Sequence, residues 1–431
     1  MRDLVAALRE RGLVHQVTDE VLGPLSARSR IVAYIGFDPS APSLHAGSLY
    51  PVMLLAHLAR AGHAAIALLG GGTGRIGDPS GKQSERPLLD AATIERNVRA
   101  QRAQIERVFR NAGAPVAVLD NAAWLHDLRL VDFLRDTGKH FTVNWMMAKD
   151  SVRARLEDRE QGISFTEFSY MLLQAYDYLR LYEDRGCCLQ MGGSDQWGNI
   201  TAGIELIRRV RGDQAFGLTS PLLLDAAGRK FGKSERGAVW LDATATSPYR
   251  FFQFWLNQDD ARASALLAAY TMLPMDEVNS VRASAAADPE KRIAQRALAK
   301  AVTSLVHGAD AASRAEAAGR VLFGEGSVRD LDAATIEDVF GEVPSATLPR
   351  KALQPPGARM GEVFVRATLV KSATDFARQA AQGAIYVNGE RVPASKKGEH
   401  PSLSPADLLH DRFIVLRRGK KDYALLRVVE G

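Results

Sequence analysis

Four short apolar runs constrain what the first 224 residues can fold into. Val32–Gly36, Ala64–Leu69, Val116–Leu119 and Leu189–Met191 carry apolar side chains at successive positions rather than alternate ones. Strands of that kind are buried on both faces, as in a parallel sheet. Helix-patterned segments lie between them and can supply the covering layers. The pattern predicts an α/β domain with a doubly wound parallel sheet over residues 1–224. From Ser247 to Leu322 strand signals vanish. Ala-rich segments such as Ala261–Tyr270 and Lys291–His307 have the 3.6-residue period of helices. Residues 225–325 are therefore read as a mobile basic loop leading into an α-helical domain. Phe323–Pro356 is rich in Gly, Pro and acidic residues and reads as a connector, assigned to 326–354. The remainder, 355–431, reads as a small α+β domain. Ser372 can cap a helix that runs to Gln382 and stops at Gly383. Ile385–Val392 then reads as a hairpin on the turn Asn388-Gly389.

Charge is uneven along the chain. The whole sequence carries 55 Lys and Arg against 50 Asp and Glu, a net +5. Lys351–Gly431 alone holds 14 basic and 8 acidic residues, so the body is close to neutral. A basic module on a neutral body points to a polyanionic partner. No apolar run is long enough to span a bilayer. Met1–Arg11 reads as a charged amphipathic helix rather than a signal peptide. The two cysteines, Cys187 and Cys188, are adjacent. They predict neither a disulfide nor a zinc site, and fit buried strand residues in a reducing cytoplasm.

Several segments carry chemistry. Tyr34-Ile-Gly36-Phe-Asp38-Pro-Ser-Ala-Pro-Ser-Leu-His45-Ala-Gly47-Ser48 is a strand, a sharp loop and a helix start. A helix N-terminus beyond the carboxyl end of a strand suits phosphates, and an imidazole there can donate to a phosphate oxygen. Gly72-Thr-Gly-Arg-Ile-Gly77 follows a strand and matches the dinucleotide glycine pattern. Asp78-Pro-Ser-Gly81 comes next, however, which is turn chemistry rather than a helix. Lys82 is followed by Gln83, so a Walker loop also fails. Ser164-Phe-Thr-Glu167 is a capping box. Beyond it Tyr170, Gln174 and Asp177 stand at i, i+4 and i+7 on one face of a largely apolar helix. Such a polar stripe needs partners or it costs stability. Met191-Gly-Gly193-Ser-Asp195-Gln196-Trp-Gly-Asn-Ile200 follows another strand, and Asp195 could accept from a ribose. Lys230-Phe-Gly-Lys233-Ser234 describes a mobile cationic loop suited to neutralising phosphate charge.

These segments together resemble the class I aminoacyl-tRNA synthetases, and the bacterial tyrosyl branch in particular. Tyr34–Ser48 is similar to the first class I signature with its tyrosyl flank. Asp78–Gly81 resembles the tyrosyl Gly-Asp-Pro-(Ser/Thr)-Gly loop, and Gly193–Asn199 the Gly-x-Asp-Gln-x-Gly-Asn run. Lys230–Ser234 resembles the second class I signature. Ser247–Trp255 resembles the entry to the helical domain. Ser372, Phe376, Ala377, Gly383 and Tyr386–Arg391 are similar to a small RNA-binding domain shared with a ribosomal protein. Ser48 replaces the second histidine of the first signature and cannot carry charge. Phe231 and Gly232 replace Met and Ser of the second. Pro51 is harmless if its helix starts near Ser48.

The resemblance implies a Rossmann-like catalytic domain, an anticodon-binding helical domain and an RNA-binding tail. It implies a ligase that joins L-tyrosine to ATP, releasing pyrophosphate, and passes tyrosine to the 3′ end of tRNA(Tyr). Asp177 and Tyr34 would read the phenolic hydroxyl, with Asp78, Tyr170 and Gln174 at the ammonium and Gln196 beside the amino acid. Catalytic roles fall to His45, Ser48, Lys82, Arg86, Lys230 and Lys233. ATP would be held by Gly36, Asp38, His45, Gly47, Gly193, Asp195, Lys230, Lys233 and Ser234. Mg²⁺ accompanies the ATP, with no protein-held metal site. Lys396, Lys397, Arg417, Arg418, Lys420 and Lys421 would contact tRNA phosphates. The family implies a homodimer, and no membrane partner is expected. Three rivals stay open: a tryptophanyl synthetase, against which the Tyr34/Asp177 pair argues, an NAD-dependent dehydrogenase using Gly72–Gly77, and a non-catalytic RNA-binding protein needing only the tail.

Overall fold

The computed structural model describes residues 2–80, 88–149, 152–153, 156, 162–224, 231–234, 237–322, 326–341, 343–394, 400–419 and 421–430, with side chains omitted at 233, 234 and 322. The chain divides into two compact units. One comprises Met1–Thr246 and Asn257–Val306, the other Ser247–Leu256 and His307–Gly431.

The first unit is built on a six-stranded sheet. Its strands are β1 (Gln16–Val17), β2 (Val32–Phe37), β3 (Ala64–Leu69), β4 (Ala117–Asp120), β5 (Leu189–Gly193) and β6 (Phe216–Ser220), in the order β1-β6-β5-β2-β3-β4. All pairs are parallel except the short edge pair of β1 and β6. From β2 the chain winds one way through β3 and β4, and then returns to add β5 and β6 on the other side. The switch point therefore lies between β2 and β5, where ligands bind beyond the strand ends of such sheets.

Period-two alternation explains the two layers. Tyr34, Ile66 and Leu68 face a cluster with Met171, Ala175 and Tyr178 from the helix Phe165–Arg185, and with Ala202 and Leu206 from Trp197–Arg211. Ala33, Ile35, Ala65 and Ala67 are buried on the opposite face, where α1 (Leu49–Arg60) packs on β2 and β3. Leu49, Val52, Met53, Leu54, Leu55 and Leu58 of α1 are all fully enclosed. Each stabilises the fold by about 2 kcal/mol relative to exposure. Ser48 stands at the N-cap position and Pro51 in the first turn, where no intrahelical N–H is lost. Cys187 is buried, Cys188 half-buried, and both are free thiols.

A short ribbon follows in sequence, β7 (Lys233–Ser234) paired with β8 (Gly237–Ala238). The helical stretch is shared between the units. Asp260–Tyr270, Met275–Ala287 and most of Ile293–His307 belong to the first, whereas Pro248–Leu256 and Ala309–Leu322 pack together in the second. The second unit holds a five-stranded sheet. Its strands are β9 (Ser345–Pro349), β11 (Ile385–Val387), β12 (Glu390–Arg391), β14 (Phe413–Arg418) and β15 (Asp422–Val429), in the order β12-β11-β14-β15-β9. A separate two-stranded ribbon pairs β10 (Ala358–Arg359) with β13 (Ser402–Leu403). Along β14, Phe413 and Val415 face Ile336, Phe340 and Val321, whereas Ile414 and Leu416 face Phe364, Phe376 and Ile385.

The expected connector is therefore structured. Ala333–Phe340 is a helix with Ile336 and Phe340 fully buried, and β9 pairs in parallel with β15 from Ser345↔Leu425 to Pro349↔Val429. Its Gly, Pro and acidic content masked a short amphipathic helix and an edge strand whose partner lies some 80 residues later in sequence. The hairpin forms as expected. Asn388 and Gly389 both have positive φ, 50° and 85°, as a type I′ turn requires. The Asn388 side chain also bonds Val415 N–H and the Asp407 carbonyl. No helix among the described residues is long and apolar enough to cross a membrane.

Candidate active site

A cleft of about 640 Å³ opens at the switch point of the first unit. Tyr34, Gly36, Asp38, His45, Ser48, Asp78, Tyr170, Gln174, Asp177, Gly193, Asp195 and Gln196 all line it. They come from the carboxyl ends of β2 and β5, the loop after β3 and one face of the helix Phe165–Arg185, whose Ser164 cap accepts from Glu167 N–H. Tyr170, Gln174 and Asp177 do share a face. About 10 Å of helix axis separates the first from the last, the reach of one aromatic amino acid laid along it.

At one end Tyr34 and Asp177 are almost wholly enclosed, with 1% and 2% of their surface exposed. The Tyr34 hydroxyl has no hydrogen-bond partner among the described residues. Asn121 Nδ2 donates to Asp177 Oδ2 at 2.8 Å, and Trp124 Nε1 donates to Oδ1 at 2.7 Å. Burial raises the Asp177 carboxyl to about 7, against the two hydrogen bonds that lower it. The sign follows directly. An aspartate with an ordinary value near 4 binds its proton more tightly when folded. Its ionisation therefore costs stability increasingly between about pH 4 and 7, and the cost is constant above. If the carboxylate accepts from a substrate hydroxyl, KM for that substrate should rise about tenfold from pH 8 to pH 6 as the ionised fraction falls. Steady-state KM across that range checks this, and a flat profile contradicts it.

Asn121 and Trp124 had no part in the sequence reading. Asn121 Oδ1 accepts from Gly72 N–H at 2.8 Å, and its Nδ2 also reaches Thr73 Oγ1. The glycine segment after β3 thus serves as scaffold for Asn121. Thr73–Arg75 is a single 3₁₀ turn, not the helix start that a dinucleotide site requires.

At the other end Asp78 Oδ2 accepts from Gln196 Nε2 at 2.7 Å, and Oδ1 from Ser80 N–H at 2.9 Å. Gln174 Nε2 donates to Gln196 Oε1, and Asn199 Nδ2 donates to Gln174 Oε1 at 3.0 Å. Tyr170 donates to Asp38 Oδ1 at 3.3 Å. Burial, followed by the charge of Asp38, holds the Tyr170 phenol well above its ordinary range, so it stays a donor. Two carboxylates among neutral amides and a phenol suit a primary ammonium. Asn199 binds this group together, a role the sequence reading did not give it.

His45 is fixed by its own helix start. Its Nδ1 accepts from Gly47 N–H at 3.0 Å and Ser48 N–H at 3.2 Å. Nδ1 is therefore unprotonated and Nε2 carries the ring proton. Gly47 also makes room for the backbone of the second signature. A Cβ there would stand 2.2 Å from the Phe231 carbonyl oxygen, and one on Gly232, at φ +97°, would stand 2.3 Å from Gly47 N. Ala46 N–H donates to Val239 O, Leu241 N–H to Leu44 O, and His45 forms a bridge with Trp240. The backbone of Lys233–Ser234 pairs with Gly237–Ala238. The backbones of the two signature segments are thus in contact. Lys82, Arg86, Lys230, the side chains of Lys233 and Ser234, and Lys396, Lys397 and Lys420 lie outside the described residues.

In the second unit Arg417 is half-buried, its guanidinium 3.9 Å from the Tyr386 ring centroid. Arg418 is paired with Asp422, and Lys421 is exposed. The tail cations are therefore not equivalent, since stacking and pairing already engage two of them.

Residues 26–324 match the family described as tRNA synthetases class I (W and Y), and residues 335–426 match the tyrosine–tRNA ligase SYY-like C-terminal domain. The chain is 51% identical to a tyrosine–tRNA ligase of Roseiflexus castenholzii over the full length of both. It is 48% identical to that of Geobacillus stearothermophilus over 99% of each. A C-terminally truncated mitochondrial tyrosyl-tRNA synthetase of Aspergillus nidulans superposes with a TM-score of 0.69 at 31% identity, over 75% of this chain and 95% of the other. The chain belongs to the class I tRNA synthetases, in their tyrosine–tRNA ligase branch.

Proposed function

We propose that this cleft activates tyrosine, with the phenol at Tyr34 and Asp177 and the ammonium at Asp78, Tyr170, Gln174 and Gln196. The chain is a tyrosine–tRNA ligase and uses ATP as a substrate. The observation that carries the residue assignment is the enclosed Tyr34 hydroxyl, in one cleft with the Asp177 carboxyl and within reach of its charge. A buried hydroxyl without a protein partner is costly, and a substrate phenol would satisfy it.

In the first step the tyrosine carboxylate, ionised at neutral pH, attacks the α-phosphorus of ATP. The new C–O–P bond forms as the bond to pyrophosphate breaks. No general base is needed, so catalysis is positioning and charge stabilisation. His45 Nε2–H donates to phosphate oxygens. Lys230 and Lys233 neutralise the leaving pyrophosphate, with Lys82 and Arg86 assisting. Ser48 and Ser234 donate neutral hydrogen bonds, Asp195 holds the ribose, and Gly36, Asp38, Gly47 and Gly193 border the nucleotide. Mg²⁺ accompanying the ATP would supply further neutralisation of phosphate charge. No group of three metal-binding side chains stands among the described residues. In the second step the 3′-terminal ribose hydroxyl of tRNA attacks the tyrosyl carbonyl and AMP departs.

Residues 1–224 carry the chemistry, and 225–325 the second signature and helices that read the tRNA. The basic module grips the tRNA backbone, with 326–354 folded into it. Setting is the cytoplasm. A homodimer accounts for large apolar side chains left in water on the helices Leu130–Asp136 and Val143–Met147 and at Phe165, which is 78% exposed. Val131→Asp should halve the sedimenting mass at micromolar concentration, and a wild-type monomer at that concentration contradicts the dimer. The function itself is tested by ATP-dependent incorporation of labelled tyrosine into acid-precipitable tRNA with AMP as co-product. Equal incorporation of tryptophan would contradict the phenol-reading pocket.

A further inference from the structure

Phe231, which stands where the class I signature has methionine, is buried. Its ring meets two side chains of α2 (Asp260–Tyr270). The Tyr270 ring lies 6.2 Å away between centroids, and the Arg262 guanidinium carbon lies 5.9 Å from the Phe231 centroid. The same two side chains reach the backbone on either side of this contact. Arg262 Nη2 donates to the Leu224 carbonyl at 3.2 Å, and Tyr270 donates to the Ala46 carbonyl at 3.0 Å, next to His45. Phe231 N–H in turn donates to Leu223 O at 2.9 Å.

Helix α2 is itself anchored to the first-signature helix. Arg60, at the end of α1, donates to Met272 O at 3.1 Å, and Arg11 donates to Ala268 O and Leu273 O at 2.9 and 2.8 Å. Asp259 caps α2 by accepting from Arg262 N–H at 2.8 Å, which fixes the turn that carries Arg262. One helix thus contacts the backbone beside His45 and the aromatic ring between Lys230 and Lys233. Lysine reaches a phosphate on a flexible stem, so the seat of its backbone decides where its ammonium can go. A misplacement of about 1 Å can cost as much as 100-fold in rate.

We propose that Arg262 and Tyr270 are positioning residues for tyrosyl-adenylate formation, holding Phe231 against Gly47 so that the second signature is in register with His45. This rests on the tyrosine-activation reading above. Neither residue lines the cleft that holds Tyr34, Asp78 and Asp177. Their loss should therefore lower turnover and spare tyrosine binding.

The test is tyrosine-dependent ATP–pyrophosphate exchange by the full chain with Arg262→Ala, Arg262→Lys and Tyr270→Phe, alongside equilibrium dialysis of tyrosine and melting temperature. Arg262→Ala and Tyr270→Phe should each lower kcat about tenfold or more, with KM and Kd for tyrosine unchanged. Arg262→Lys, which keeps a cation over the ring and a donor for Leu224, should recover most of the loss. Wild-type kcat in folded Arg262→Ala overturns the proposal. So does a fall in tyrosine binding that parallels kcat, which marks a general structural effect. Arg262 is 26% exposed in its side chain, so its variants decide the question even where Tyr270→Phe melts early. Failure of the underlying reading looks different, since the wild-type chain would then show no tyrosine-dependent exchange.

Discussion

Lys233→Ala is expected to slow tyrosyl-adenylate formation by about 100- to 1,000-fold, the range for removing one preorganised group from a charged transition state, while tyrosine binding stays close to wild type. The residues proposed to hold tyrosine, Tyr34, Asp78, Tyr170, Gln174 and Asp177, stand on β2, the loop after β3 and the helix Phe165–Arg185. Lys233 follows Gly232, whose backbone rests on Gly47 next to His45. In the proposed role its charge counts as pyrophosphate leaves, so the loss should appear in the single-turnover rate and not in Kd. Stopped-flow or quenched-flow formation of the adenylate, with equilibrium dialysis of tyrosine, separates the two. Equal losses in rate and binding would remove the transition-state role.

Asp177→Asn should cost tyrosine about 3 kcal/mol in kcat/KM, the upper range for a hydrogen bond to a charged group, or about 100-fold. Two donors already point at this carboxyl, from Asn121 and Trp124. An amide has one acceptor oxygen and one NH₂, so the NH₂ must face one of these donors unless the Asn121 amide or the Trp124 indole turns away. The phenol then loses its acceptor as well. Phenylalanine has no hydroxyl to lose and should suffer less, so the ratio of tyrosine to phenylalanine use should fall. The tenfold change in KM from pH 8 to pH 6 should also vanish. A variant that kept both the ratio and the pH profile would place the phenol elsewhere.

The parts of this molecule that were legible from sequence are those whose pattern is local. Ala64–Leu69 is a strand over those same six residues because an unbroken apolar run leaves little choice. Tyr170, Gln174 and Asp177 could be placed together because helical spacing alone aligns them. β6 was not legible, since Phe216-Gly-Leu-Thr-Ser is wholly buried yet ends on two hydroxyl side chains. β9 depends on a partner far along the chain. Asn121 and Trp124 act on Asp177 only because the end of β4 packs beside another helix. A signal did exist for Asn121, because Asp120-Asn121 is a polar pair at the carboxyl end of a parallel strand, the edge beyond which such sheets bind ligands. Nothing in the spacing of Trp124 points to its role. The pairing of Arg418 with Asp422 was open to reading, as both flank the β14–β15 turn.

The measurement that tests the central claim most directly is exchange of labelled pyrophosphate into ATP, without tRNA, in the presence of tyrosine, tryptophan or phenylalanine. The account predicts exchange with tyrosine and little with the other two, because only tyrosine satisfies both Tyr34 and Asp177. Exchange supported equally by tryptophan or phenylalanine, or none with tyrosine in folded protein supplied with Mg²⁺, would contradict it.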